Sequence, residues 1–215
     1  MNKKLPFGVW VSKHFPERQE GAPALFLDRD GVIVREVNYL HRVEDVEMEV
    51  GIAAVVQLAR KTGRAVVTVT NQAGIDRGIF DWAAFEAVEA EIAKRLDAMS
   101  ASSDLVVACS FHPDHTPDYD LSHHAWRKPG PRMLELSAEL LGLNLSASWM
   151  IGDKVSDIGA ARAAGLAGAI HVLTGHGQME RVEALKLTST EFKVLAADDM
   201  IEAREILKLV WQIKD

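Results

Sequence analysis

Apolar residues along the chain fall into two recurring patterns. The first is a short, nearly unbroken run, as in Ala24-Leu25-Phe26-Leu27, Ala65 to Val69, Leu105 to Ala108, Ser148 to Ile151 and Ala169 to Leu173. Such runs, with no alternation, mark strands buried on both faces, as in a parallel sheet. The second pattern repeats every three or four residues. It places apolar side chains at 52, 55, 56 and 59, and again at 85, 88, 92 and 96. That spacing predicts helices over Ile52 to Lys61 and from an N-cap at Asp81 to about Ala98. Further helices are expected at Met133 to Leu141, Asp157 to Ala164 and about Met200 to Trp211, with a further strand at Phe192 to Ala196. Gly63 and Gly165 stand where helices should stop.

Alternating strands and helices imply an α/β fold, a doubly wound (Rossmann-like) parallel sheet with helices on both faces. Residues 1–22 read as an N-terminal extension interrupted by Pro6 and Pro16, with Phe7, Trp10 and Phe15 packing part of it down. Residues 23–215 read as a single domain. Within it, about 109–131 form an inserted loop rich in histidine and proline. Internal loops of that length usually carry function or an inserted subdomain.

In such sheets the ligand lies at the carboxyl ends of the strands. Four strand ends here carry polar chemistry: Asp28 with Asp30, Thr70 with Asn71, the loop reaching Arg127 and Lys128, and Asp153 with Asp157. Asp28 and Asp30 are two residues apart and project to one side of an extended backbone. Their mutual repulsion is relieved by a divalent cation, and an oxygen ligand set suits Mg²⁺. A phosphate monoester fits this constellation. Asp28 can attack phosphorus to give an aspartyl phosphate. Asp30 can protonate the leaving alkoxide and then take a proton from the hydrolysing water. Thr70 and Asn71 offer donors for phosphoryl oxygens, and Lys128 supplies fixed positive charge there. Asp153 completes the metal site, supported by Asp157 one helical turn on.

Composition narrows the alternatives. Hydrophobic residues make up 48% and charged residues 26%, ordinary for a globular protein. The net charge of −7 and the absence of a long basic run argue against nucleic acid as a partner. No apolar run approaches the length of about 18 residues that marks a membrane span. The single cysteine, Cys109, allows no intrachain disulfide and fits a reducing cytoplasm.

The motifs also carry a resemblance. Asp28-Arg29-Asp30-Gly31, Thr70-Asn71-Gln72, Arg127-Lys128-Pro129 and Gly152-Asp153-Lys154-x-x-Asp157 resemble, in order and spacing, the haloacid dehalogenase superfamily of phosphohydrolases over about residues 24–177. The finer phrases, Val69 to Gly78 and Arg127 to Pro131, resemble its branch of heptose bisphosphate and histidinol-phosphate phosphatases. The resemblance implies a sugar-phosphate substrate, most plausibly the 7-phosphate of D-glycero-D-manno-heptose 1,7-bisphosphate, with histidinol phosphate as the alternative. It implies Asp28 as nucleophile and Asp30 as general acid/base, with Mg²⁺ held by Asp28, the Asp30 carbonyl and Asp153. It implies substrate contacts at Glu36, Val37, Asn38 and Tyr39, at Thr70, Asn71, Gln72 and Ala73, and at Arg127, Lys128 and Lys154. It further implies little or no cap domain.

A phospho-acceptor signalling domain of the receiver type is a rival of another class. It also uses an aspartate, Mg²⁺ and a lysine, but lacks the second aspartate, here Asp30. In the branch that the chain resembles, the loop before the lysine often holds a structural Zn²⁺ through Cys-x-His and Cys-x-Cys. Here those positions are Cys109, Phe111, His124 and Trp126. Two of the four cannot bind metal, so the expected loop is zinc-free and held by apolar packing. His112, His115 and His123 lie near enough to offer an altered site.

Overall fold

The computed structural model describes residues 5–12 and 19–213. Seven strands form one sheet: β1 (Val9–Val11), β2 (Ala24–Leu27), β3 (Ala65–Asn71), β4 (Leu105–Cys109), β5 (Trp149–Gly152), β6 (Gly168–Val172) and β7 (Lys193–Ala197). Their order is β1-β4-β3-β2-β5-β6-β7. All neighbouring pairs are parallel except β1 with β4. The helices are α1 (Ile52–Lys61), α2 (Trp82–Ala98), α3 (Leu121–Trp126), α4 (Arg132–Leu141), α5 (Val155–Ala163), α6 (Gly177–Leu185) and α7 (Met200–Val210).

The uninterrupted apolar runs are explained by cover on both faces. Leu25 and Leu27 of β2 join one core cluster with Val66, Ile151 and Ile170, capped by α1 and α7. Ala24 and Phe26 point the other way, into a second cluster with Val67, Met150, Met133 and Ile158 of α4 and α5. β2 lies at the centre, in register with β3 (Phe26 with Val67) and with β5 (Phe26 with Met150). Its four residues are wholly buried, and the first polar residue after them, Asp28, emerges at the middle of the sheet's carboxyl edge.

The short connections fit an α/β fold with little or no cap. After β2 the chain makes a narrow loop in which Arg29 O accepts from the backbone N–H of Ile33 and Val34. Val34 then bridges Met48, and the chain descends into α1. Asp81 caps α2 as its spacing predicts, its side chain accepting from Ala84 N at 2.9 Å.

The N-terminal segment differs from the expectation of a mere extension. Residues 9–11 pair antiparallel with β4 and complete the sheet's edge. Trp10 packs edge-on to Phe85, with centroids 5.2 Å apart, and donates from its indole nitrogen to Glu86. Phe7, expected to pack down, is 98% exposed. Phe15 and Pro16 lie outside the described residues. β1 has three residues and no periodic partner in the sequence, so its pairing is legible only once β4 is placed. The 109–131 segment also holds α3, capped by Asp120, which accepts from Ser122 N and His123 N. Helix α6, not anticipated, buries only Gly177 and Ala184, which leaves little apolar period to read.

This edge strand has a testable consequence. Removing residues 1–12 uncovers the backbone N–H and C=O groups of β4, a template for intermolecular pairing. The truncated protein is expected to associate in size-exclusion chromatography at concentrations where the full chain elutes unchanged. Identical elution of the two proteins would show that β1 does not protect the edge.

Candidate active site

The carboxyl edge of the sheet brings three carboxylates and one lysine into a nearly dry space. Asp28 follows β2, Asp153 follows β5, and Asp157 sits in the first turn of α5. All three are buried, and ligand oxygens from each lie within 4.8 Å of one another. Lys128 enters from the loop between β4 and α4, with 3% of its surface exposed. Its Nζ donates to Asp28 Oδ1 at 2.8 Å and to the Val69 carbonyl at 2.8 Å, and lies 2.7 Å from Asp157 Oδ1.

Electrostatics in this cluster is a contest between burial and pairing. Burial alone would raise the Asp28 carboxyl, but the Lys128 and Lys154 cations outweigh it and hold Asp28 below its ordinary value. Burial would lower the Lys128 ammonium, yet Asp157 and Asp28 raise it, so it stays charged. At Asp153 the Lys154 cation opposes burial too weakly to prevail. Burial, followed by repulsion from Asp157 and Asp28, pushes its carboxyl up to about 8. Its Oδ2 accepts from His176 N at 2.8 Å, while Oδ1 is buried with no hydrogen-bond partner.

An orphaned buried oxygen beside two further carboxylates is the donor set of a hard divalent cation, so the residues fit Mg²⁺. The backbone makes room for Asp153. Gly31 and Gly175 both have positive φ, and a Cβ on either would come within 2.8 or 2.4 Å of Asp153 Oδ2. The sequence pattern gives Asp157 a supporting role only. The structure places it within the carboxylate cluster itself, with Oδ2 accepting from Lys154 N and Oδ1 against Lys128.

The remaining expected residues divide into those beside the cluster and those turned to other tasks. Asp30 lies beside it, but both of its oxygens take hydrogen bonds from Arg29, and Oδ2 also accepts from Gln72 Nε2 at 2.9 Å. Gln72 Nε2 also reaches Thr70 Oγ1 at 2.8 Å. The Asn71 side chain is committed to the backbone of Lys128, accepting from its N–H and donating to its carbonyl. It therefore ties the lysine's backbone to the end of β3. Sequence spacing could not show this, because Asn71 and Lys128 are brought together only when the loop before α4 crosses the end of β3.

Around the mouth, Asn38 and Tyr39 both adopt positive φ, and the Asn38 N–H donates to Glu36 Oε1 at 2.9 Å. Val37 is exposed. Lys154 Nζ and His176 Nε2 each lie 3.4 Å from Glu36 Oε2. Ala73 opens the turn after β3, its carbonyl accepting from Arg77 N. Arg77 bonds His112 at 2.7 Å, and Arg127 donates to the Phe111 carbonyl at 3.0 Å. Burial, then Arg77 and Arg127, lowers the His112 imidazole.

The candidate zinc positions, Cys109, Phe111, His124 and Trp126, each have neighbours within the protein. Cys109 is fully buried in the second core cluster, and burial pushes its thiol up to about 12, against the thiolate a metal needs. Phe111 is buried with its ring edge-on to His123, centroids 4.6 Å apart. Tyr119 stacks on His123, and its hydroxyl meets His124 Nδ1 at 3.3 Å. Trp126 packs under the Arg132 guanidinium. Among the described residues, the only group of three or more such side chains close enough to share an ion is Asp28, Asp153 and Asp157.

Two residues of the site escape motif reading. Arg29 is 1% exposed, and Glu89, from α2, takes its Nη1 at 3.0 Å. Glu89 had a legible signal. It falls beside positions 85, 88 and 92, on the stripe that α2 turns inward, where a charged residue needs a buried partner.

Comparisons with known proteins place the chain among phosphatases. The profile of the HAD-hydrolase-like family matches residues 125–200. The D-glycero-beta-D-manno-heptose-1,7-bisphosphate 7-phosphatase of Mesorhizobium japonicum is 37% identical over 164 residues, covering 74% of each chain. Among solved structures, a HAD-like protein from Mesorhizobium loti superimposes with a TM-score of 0.78 at 31% identity, covering 97% of this chain and 95% of that one. The D,D-heptose 1,7-bisphosphate phosphatase of B. bronchiseptica, complexed with magnesium and phosphate, gives a TM-score of 0.74 at 26% identity over 87% of this chain and 99% of that one. A central strand ending in Asp28, a buried lysine and relatives of this similarity agree on one assignment: the chain is a phosphoric monoester hydrolase of the haloacid dehalogenase superfamily, in the family of the heptose-1,7-bisphosphate 7-phosphatases.

Proposed function

We propose that this protein is a Mg²⁺-dependent phosphatase that removes the 7-phosphate of D-glycero-D-manno-heptose 1,7-bisphosphate through an aspartyl phosphate on Asp28. The observation that carries the reaction is the Lys128 bridge, in which Nζ donates to Asp28 Oδ1 and lies against Asp157 Oδ1. Arg29 N also donates to Oδ1, at 2.7 Å. Asp28 is thus ionised and fixed in orientation, as an in-line attack on phosphorus requires. Asp28, Asp153 and the Asp30 carbonyl would hold Mg²⁺, with Asp157 beside them. The ion, when bound, neutralises the phosphoryl oxygens and the carboxylate repulsion. Lys128 stabilises charge on those oxygens, and Thr70 borders the same space. Asp30 gives its proton to the departing alkoxide and then accepts one from the water that hydrolyses the acyl phosphate. That second step separates a phosphatase from a signalling acceptor domain.

The substrate reading rests on the mouth. We assign Glu36 to Tyr39, Gln72, Ala73 and Lys154 to the approach, where Glu36, Asn38, Tyr39, Gln72 and Lys154 bring polar side chains for a polyol. Arg77 and Arg127 provide positive charge at one side, which suits a second phosphate. Relatives of this similarity carry the heptose bisphosphate name. Histidinol phosphate, with a cationic amine and imidazole, would meet like charge there. We further infer that the 109–131 loop works without zinc, held by Phe111, Tyr119 and His123, and that the protein acts in the cytoplasm. Among the described residues no helix is long and apolar enough to cross a membrane.

Phosphate release from a panel of esters tests the substrate. The heptose bisphosphate is expected to exceed histidinol phosphate in kcat/KM. Arg127→Ala is expected to reduce the bisphosphate value by about tenfold, the loss of one charge-assisted contact, and a sugar monophosphate much less. Preference for histidinol phosphate, or equal losses on both sugars, would overturn the substrate reading.

Metal linkage gives a second test. In metal-free protein Asp153 titrates near 8 when folded, against an ordinary 3.8. Its stabilising contribution is therefore complete below about pH 4 and lost as pH rises toward 8. In chelator, the melting temperature of the wild type is expected to fall relative to Asp153→Asn across that window. Mg²⁺ is expected to restore the wild type at pH 8 and not the variant. Parallel melting curves with no magnesium response would contradict the metal assignment. Elemental analysis of protein purified without chelator is expected to find no stoichiometric zinc. About one zinc per chain, lost in Cys109→Ser, would refute the zinc-free loop.

A further inference from the structure

Arg29 separates the two aspartates of the first motif, and nothing in the proposed chemistry uses its side chain. It is nonetheless the largest fully buried side chain among the described residues. Its guanidinium is held from opposite sides. Nε and Nη2 both reach the carboxylate of Asp30, with Nη2 3.0 Å from each oxygen. Nη1 reaches Glu89 Oε1 at 3.0 Å, and the group lies 5.5 Å from the centre of the Phe85 ring. Glu89 is itself 8% exposed and comes from α2, an element that contributes nothing else to the carboxylate cluster.

A guanidinium is planar, and a carboxylate bonded by its fork is constrained to nearly the same plane. The plane of Arg29 is set by Glu89 and Phe85, both fixed by the seating of α2. The orientation of Asp30 is therefore dictated from the inward face of α2. Gln72 adds a third donor to Asp30 from the end of β3. A buried ion pair of this kind is a poor source of stability, since an apolar pair of similar volume often serves as well. Its place directly behind Asp30 gives it another use. We propose that Arg29 is a positioning residue for Asp30, and that Glu89 is the anchor that fixes Arg29, so that α2 sets the angle at which Asp30 meets the leaving-group oxygen.

This rests on the reading of Asp30 as the group that protonates the leaving alkoxide, and the test separates the two. Alkyl esters need that proton, whereas aryl esters such as 4-nitrophenyl phosphate leave without it. Arg29→Lys keeps the charge and loses the fork. The double variant Arg29→Met with Glu89→Leu removes both charges and leaves neither unpaired. Each is expected to lose at least about tenfold in kcat/KM on an alkyl phosphate and to stay within about twofold on the aryl ester. A merely structural role would lower both alike. Asp30→Asn is the control. If it shows the alkyl-selective loss while the Arg29 and Glu89 variants do not, the positioning role is refuted and the role of Asp30 stands. If Asp30→Asn itself is indifferent to the leaving group, the reading of Asp30 fails and the inference with it. Should the double variant not fold, Arg29→Lys decides alone.

Discussion

Three carboxylates share a dry space with a single buried ammonium, and much of the molecule is arranged to make that tolerable. Like charges this close cannot all ionise without a compensating cation. Lys128 supplies one, bridging Asp28 and Asp157. Asp153 is left over, with a raised carboxyl and an unpartnered oxygen. The architecture follows from this need. β2 and β5 are adjacent, so their carboxyl ends bring Asp28 and Asp153 together. Asn71 grips the backbone of Lys128 so that a loop residue reaches the centre of the sheet. Two glycines yield space that a Cβ would occupy.

The same principle extends outward in a second tier. Arg29 and Glu89 are another buried pair of opposite charge, placed behind Asp30 instead of among the metal-binding groups. Burial raises the Glu89 carboxyl, and the Arg29 guanidinium opposes that shift. The site therefore has a front, where charge is left for a cation and a phosphoryl group to complete, and a back, where charge is already balanced. The mouth adds a third region, in which Lys154 and His176 share Glu36 while Arg77 and Arg127 gather on the other side.

The inner strands were legible because parallel sheets leave unbroken apolar runs, and Asp28, Thr70 and Asp153 stood out because each lies at the end of one or directly after it. Helix α2 could be read from its cap and its stripe. What stayed hidden was what depends on long-range pairing. β1 is three residues whose partner lies about a hundred residues away, and α6 buries too little to show a period. The partners of Asn71 and Asp157 belong to the same class. Spacing tells which residues reach the sheet edge, but not which of them face the ligand and which hold a neighbour. Glu89 is the exception, since a carboxylate on an inward stripe already announces a buried partner.

The central claim is that Asp28 takes the phosphoryl group before water does. Rapid acid quench during turnover, followed by borohydride reduction, converts an acyl phosphate on an aspartate to homoserine. Mass spectrometry of the digested protein is expected to find homoserine at position 28 alone, and only when substrate is present. Reduction at another carboxylate, or steady turnover with no homoserine at position 28, would contradict the account.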